Sequence, residues 1–189
     1  MVLFFGPTGS GKSMQGQLIA ARYGWRWISA GQLLRDVSDP EINSFLKEGK
    51  FVPDDYVNKL MFRQIDKALK DDGLDNIILD GYPRRIYQAR ELMKHNKKMT
   101  AIIVFKIGTD EIFNRLRLRG RMEDNIETIK QRIEQYNAET EPVINFFKEN
   151  DVLVEEIDGE GTVGEVHDRI DDLLTKIKME QKNNATTKN

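Results

Sequence analysis

Residues 6–13, Gly6-Pro7-Thr8-Gly9-Ser10-Gly11-Lys12-Ser13, carry the spacing GxxxxGK[ST] between an apolar run and a segment of helical periodicity. Its glycines, Gly9 and Gly11 among them, let the backbone curl around Ser10 until successive N–H groups aim at one anion. The helix that follows adds the positive end of its dipole. Lys12 is then placed to reach the outer phosphates of a nucleoside triphosphate, and the Ser13 hydroxyl to meet Mg²⁺ or a phosphate oxygen. A dinucleotide fingerprint of the GxGxxG type is excluded, because Lys12-Ser13 stand where that motif needs close helix packing. A second feature fits the same chemistry. The run Ile77-Ile78-Leu79 ends in Asp80, and an acid at a strand end beside such a loop can hold the hydration shell of Mg²⁺. Ser13 and Asp80 are therefore the expected metal pair, acting through water. The loop by itself specifies a bound triphosphate and does not separate kinase, GTPase, motor or helicase.

These residues need a scaffold, and the hydrophobic pattern supplies one. Five short apolar runs, at 2–5, 25–28, 76–79, 101–107 and 152–157, are rich in β-branched or aromatic residues. Longer segments with helical spacing, such as 12–23 and 57–69, separate them. Strands alternating with helices imply a parallel sheet covered on both faces. After Asp124, Ile126, Ile129, Ile133 and Tyr136 form a helical stripe, which Pro142 should end or kink. Residues 29–58 interrupt the alternation with two short helical pieces around Pro40, and read as an inserted lobe. The polar tail 176–189 reads as fraying from a last helix into a flexible end.

Composition narrows the class. The 189 residues are 39% hydrophobic, enough for one buried core. Lys and Arg number 29 against 31 Asp and Glu, a net charge of −2, which argues against a dedicated nucleic-acid or membrane-surface protein. No cysteine is present, so disulfides, Cys-based zinc sites and a thiol nucleophile are excluded. No apolar run approaches the roughly 18 residues of a membrane span, and the opening Met1-Val2-Leu3-Phe4-Phe5 lacks the basic start of a signal peptide. A single-core cytoplasmic protein is the expectation.

Four motifs occur in collinear order. They are the phosphate loop, Ser29-Ala30-Gly31-Gln32-Leu33-Leu34-Arg35, Asp80-Gly81-Tyr82-Pro83-Arg84, and Gly120-Arg121-Met122-Glu123-Asp124-Asn125. Together they resemble the adenylate kinase family of nucleoside monophosphate kinases over nearly the whole chain. The resemblance implies a three-layer α/β/α fold on a five-stranded parallel sheet, with an acceptor-binding lobe at 29–58. It implies reversible transfer of the γ-phosphoryl of MgATP onto AMP, giving two ADP; zinc is not expected because no cysteine is present, and a monomer is the expectation, with a homo-oligomer as the alternative. Arg35 and Arg84 would grip the acceptor's phosphate and Gln88 its base. Ala30, backbone at Lys50, Phe51, Val52 and Gly81, and the neighbouring Tyr82 and Pro83 would line the acceptor pocket. Arg119, Arg121 and Arg132 would surround the moving phosphoryl, with Arg121 and Arg132 also facing AMP. Arg115 would stack on the donor adenine near backbone at Gly161, and Glu123 and Asp124 would orient the arginines. The chemistry favours these types, since transfer requires two anions held in line and neutralised, which guanidinium groups do bidentately. Arg115 and Arg119, at i and i+4, share one helix face, while Arg22, Arg85 and Arg117 read as surface residues.

The sequence also departs from the family pattern. Met14 stands where the family carries a hydroxyl. Ser29-Ala30-Gly31 leans toward the uridylate/cytidylate kinases, whereas Gln88 leans toward AMP, so a UMP/CMP kinase is the first alternative and a slow P-loop switch the second. Arg119-Gly120-Arg121 follow one another directly, so the long lid that many relatives carry there, sometimes with four zinc-binding cysteines, is reduced to a turn at 119–124.

Overall fold

The computed structural model describes residues 1–70, 76–95, 99–120 and 125–186, with side chains to Met179. Strands β1 (Val2–Phe5), β2 (Arg26–Ser29), β3 (Ile77–Asp80), β4 (Ala101–Lys106) and β5 (Val154–Asp158) form one sheet in the order β2-β3-β1-β4-β5. Every pairing is parallel, with Phe4 opposite Asp80 and Ser29 opposite Asp80 in the register. The apolar central strands β1, β3 and β4 follow from burial on both faces, while the edge strands β2 and β5 carry polar residues. Alternate residues feed two cores. Leu3, Phe5, Leu79, Ile102 and Val104 face one, and Val2, Phe4, Ile78, Ile103 and Phe105 the other.

Helices α4 (Asp54–Lys70), α5 (Ile86–His95) and α8 (Glu141–Glu149) cover the first face through Met61, Ile65, Leu92 and Phe147. Helices α1 (Lys12–Tyr23) and α9 (Val163–Thr186) cover the second through Ile19, Val166, Ile170 and Leu174. Between β2 and α4 lie α2 (Ala30–Asp36) and α3 (Pro40–Lys47). Their starts are set by Ser29, whose hydroxyl accepts from the Gln32 N–H, and by Asp39, whose carboxylate accepts from two N–H groups ahead of it. Helix α9 holds past Lys176, where the sequence alone suggested fraying. Ile177, 2% exposed, extends its buried stripe, and Lys178 to Lys182 beyond it are good helix formers.

Helices α6 (Thr109–Arg119) and α7 (Ile126–Gln135) pack on one another through Ile112, Leu116 and Ile129. Past α7 the chain makes one π-helical turn, Tyr136–Thr140, in which the Glu141 N–H bonds back to the Tyr136 carbonyl. Pro142 falls in the first turn of α8, where its missing N–H is not needed. The expected break is thus a wide turn within continuous helix. The strands' carboxyl ends, where β1 is flanked by β3 and β4, open into the cleft that such a topology favours for ligands. Among the described residues no helix is long and apolar enough to cross a membrane.

Candidate active site

A cleft of about 570 Å³ gathers most of the predicted residues. Its floor is the phosphate loop. Gly11 caps α1 with φ 90°, a left-handed conformation that frees the loop to turn into the helix. Lys12 folds over this loop, its Nζ donating to the carbonyls of Gly6 (2.6 Å) and Pro7 (2.7 Å) and to Ser10 Oγ (3.0 Å). Burial pushes its pKa down to about 8; Asp80 opposes that shift, and Arg84 and Arg119 add to it. The Ser13 hydroxyl donates to Asp80 Oδ2 at 2.6 Å. This pair of hard oxygen donors suits Mg²⁺ that arrives with phosphates and keeps its water. No group of three or more metal-ligating side chains comes together among the described residues.

Beside the phosphate loop, Arg115 Nε is held by Glu111 at 2.7 Å, and its guanidinium lies near Gly11 and donates to the Gly161 carbonyl at 3.4 Å. The structure therefore brings Arg115 and Gly161 together, although Gly161 stands behind the arginine and off the cleft wall. Ser10 is buried under Lys12 and also off the wall. Met14, half exposed, lines the cleft with Gly9, Gly11, Ser13 and Arg119.

On the opposite side, Ala30, Arg35, Lys50, Phe51, Val52, Gly81, Tyr82, Pro83, Arg84 and Arg132 all line the wall. Arg84 Nε donates to the Gly81 carbonyl at 3.0 Å. At Gly81, with φ 69°, an added Cβ would sit 3.1 Å from the guanidinium, so glycine serves both the turn and the close approach. Arg84 is exposed on the cleft wall, yet the protein packed around its guanidinium thins its hydration and, with Arg132 and Arg35 nearby, holds it below the usual arginine range against the pull of Asp80. Arg35 donates to Gln32 Oε1 (3.2 Å) and Arg132 to the Leu46 carbonyl (3.2 Å), the latter tying α7 to the end of α3. Tyr82 presents its ring rather than its hydroxyl, which donates to Asn58 Oδ1 at 2.7 Å inside the core.

Gln88 is 3% exposed and lines the cleft. Its Oε1 accepts from the Arg84 N–H and its Nε2 donates to Asp54 Oδ1, both at 2.8 Å. Arg85, expected at the surface, is ion-paired to Asp54 (3.1 Å) and Glu139 (2.6 Å) and lies 6.0 Å from the Phe51 ring. Sequence reasoning also missed Gln135, Tyr136 and Thr140, which the π-turn and the end of α7 bring to the wall. The one sequence signal near them was Pro142, which marks a break in the helix but does not specify a π-turn. Arg121, Glu123 and Asp124 lie outside the described residues.

A phosphate loop at the end of β1, an acid at the end of β3 and a second set of arginines across the cleft define a P-loop phosphotransferase with two anion sites. The adenylate kinase family model matches residues 4–152. An adenylate kinase of Porphyromonas gingivalis is 34% identical, covering 94% of this chain and 96% of the relative. Adenylate kinases of Mycobacterium ulcerans and Thermus thermophilus are 35% and 30% identical, covering 93% and 89% of this chain and 99% and 94% of theirs. The chain belongs to the adenylate kinase family. It is a nucleoside monophosphate kinase, and its function is that of an adenylate kinase.

Proposed function

We propose that MgATP occupies the phosphate-loop side of the cleft and AMP the side formed by residues 29–58 and 81–88, with the γ-phosphoryl moving between them. The observation that carries this reading is the charge of the wall. Lys12, Arg35, Lys50, Arg84, Arg115, Arg119 and Arg132 line it, against Asp80 as the one acid lining it among the described residues. Lys12, Arg84, Arg119 and Arg132, with Arg121, neutralise the moving phosphoryl, Arg35 and Arg84 hold the acceptor's phosphate, and Arg115 faces the donor base. Glu123 and Asp124 orient the arginines. Ser13 and Asp80 would hold Mg²⁺, which would supply positive charge against the donor phosphates. Gln88 meets the acceptor base. This arrangement needs no covalent intermediate, because positioning and charge neutralisation carry the reaction. The chain works as a monomer in the cytoplasm.

Mixing the protein with ADP and Mg²⁺ tests the reading, with equimolar ATP and AMP as the expected products. Slow hydrolysis without disproportionation would identify a nucleotide switch instead. A panel of AMP, CMP, UMP and GMP as acceptors then ranks them, with AMP expected first; CMP or UMP first would favour the reading from Ala30. Light scattering after size exclusion reports the oligomeric state.

A further inference from the structure

We infer that Asp54 locks the side-chain amide of Gln88 in one orientation, so that acceptor choice follows the polarity of the base edge. This rests on the reading that Gln88 meets the acceptor base. An unrestrained glutamine would match opposite edge patterns equally, because its amide can turn over and exchange donor for acceptor. Here both ends are committed. The Arg84 backbone N–H can only donate, and it feeds Gln88 Oε1 at 2.8 Å. The Asp54 carboxylate can only accept, and it takes a hydrogen from Gln88 Nε2 at 2.8 Å. Turning the amide over would set oxygen against carboxylate and NH₂ against N–H, losing two hydrogen bonds at a side chain that is 3% exposed.

Asp54 is itself held in place. Its other oxygen, Oδ2, pairs with Arg85 at 3.1 Å, and Arg85 is anchored in turn by Glu139 at 2.6 Å. Asp54 also opens α4, where the helix dipole favours a negative charge. The carboxylate therefore has little freedom to follow a turning amide. What Gln88 keeps for a ligand is one hydrogen on Nε2 beside one lone pair on Oε1, in fixed order.

Adenine presents a ring-nitrogen acceptor beside an amine donor, and cytosine presents the same pair. Hypoxanthine and uracil present the reverse, a ring N–H beside a carbonyl oxygen. A locked amide therefore accepts adenine and cytosine and rejects hypoxanthine and uracil, whatever the ring size. Asp54 is thus a positioning residue that sets specificity without touching the substrate.

Two substrate pairs differ by this reversal at nearly constant shape, AMP against IMP and CMP against UMP. The kcat/KM ratios of both pairs should exceed unity in the parent protein by on the order of tenfold or more. Asp54→Asn offers Gln88 either a donor or an acceptor, so both ratios should fall severalfold, through IMP and UMP gaining relative to AMP and CMP. Arg85→Ala, which removes one anchor of Asp54 but keeps an acceptor facing Gln88, should lower both ratios less than Asp54→Asn does. Unchanged ratios in Asp54→Asn would overturn the lock, as would an equal loss in Arg85→Ala. Should Asp54→Asn fail to fold, the parent's ratios decide alone: ratios near unity overturn the lock, and preference for AMP and CMP in both pairs supports it. A parent that phosphorylates AMP and IMP alike refutes only the lock, whereas one that phosphorylates neither AMP nor any other monophosphate refutes the proposed function.

Discussion

Lys12 stands in an electrostatic position that nucleotide binding must change. Its ammonium is wrapped by two carbonyls and a hydroxyl, yet burial and the neighbouring Arg84 and Arg119 bring its pKa down to about 8. Phosphate oxygens favour the charged form and must raise that value. The sign follows. Near pH 9 much of the free protein carries neutral Lys12 and the complex carries charged Lys12, so binding takes up a proton, about one at most. Near pH 7 Lys12 is charged in both states and the uptake vanishes. Calorimetry of ATP binding in buffers of different ionisation enthalpy measures this, and Lys12→Met should abolish the pH-dependent part. Equal uptake at both pH values would contradict it. Lys12 was legible in the sequence because its role depends on spacing within eight consecutive residues. The Asp54–Gln88 contact joins residues 34 apart, and Arg85 finds its acids on two different elements, so neither carried a local signal.

At the scale of elements, strands and helices were largely legible because each buries along its own period. The two cores take alternate residues of the same strands, and α4 follows its expected stripe through Val57, Met61, Ile65 and Ala68. The π-turn was not legible, since it depends on how α7 and α8 must both pack rather than on the sequence of either. Packing also reverses a simple propensity argument at Gly16. Alanine in a helix interior gains up to about 1 kcal/mol over glycine. An added Cβ here, however, would lie 2.5 Å from Cδ1 and 2.7 Å from Nε1 of Trp27, whose rigid indole stands on β2. Overpacking of this kind costs about 1–3 kcal/mol, so the clash should win. Gly16→Ala should lower Tm by roughly 2–4 °C per kcal/mol of net loss, as read by thermal unfolding followed with circular dichroism. An unchanged or raised Tm would show that the indole swings aside at little cost.

At the scale of the whole molecule, a chain of net charge −2 places seven cations and one acid, among the described residues, on the wall of one cleft. Such focusing draws polyanions in and holds them, and it acts on phosphates whatever base they carry. Base selectivity for the donor must come from contacts farther out, which in long-lid relatives the lid can supply as it closes and excludes water. In this chain Arg119-Gly120-Arg121 are contiguous. Helix α6 ends at Gly120 in a left-handed cap with φ 65°, and Leu118 beside it is 84% exposed. Among the described residues, what remains on the proposed donor side is the phosphate loop, Met14 and the pair formed by Arg115 and the Gly161 carbonyl. A guanidinium stacks on any base, because every base has a face, and so discriminates little among them. Phosphoryl transfer should therefore persist while donor choice broadens. With AMP as acceptor, the kcat/KM values of GTP, CTP and UTP should fall nearer that of ATP than in a long-lid adenylate kinase assayed alongside. A preference for ATP as strong as that enzyme's would mean that the short turn, the 29–58 segment or a second subunit reads the donor base, and light scattering would distinguish the last of these from the first two.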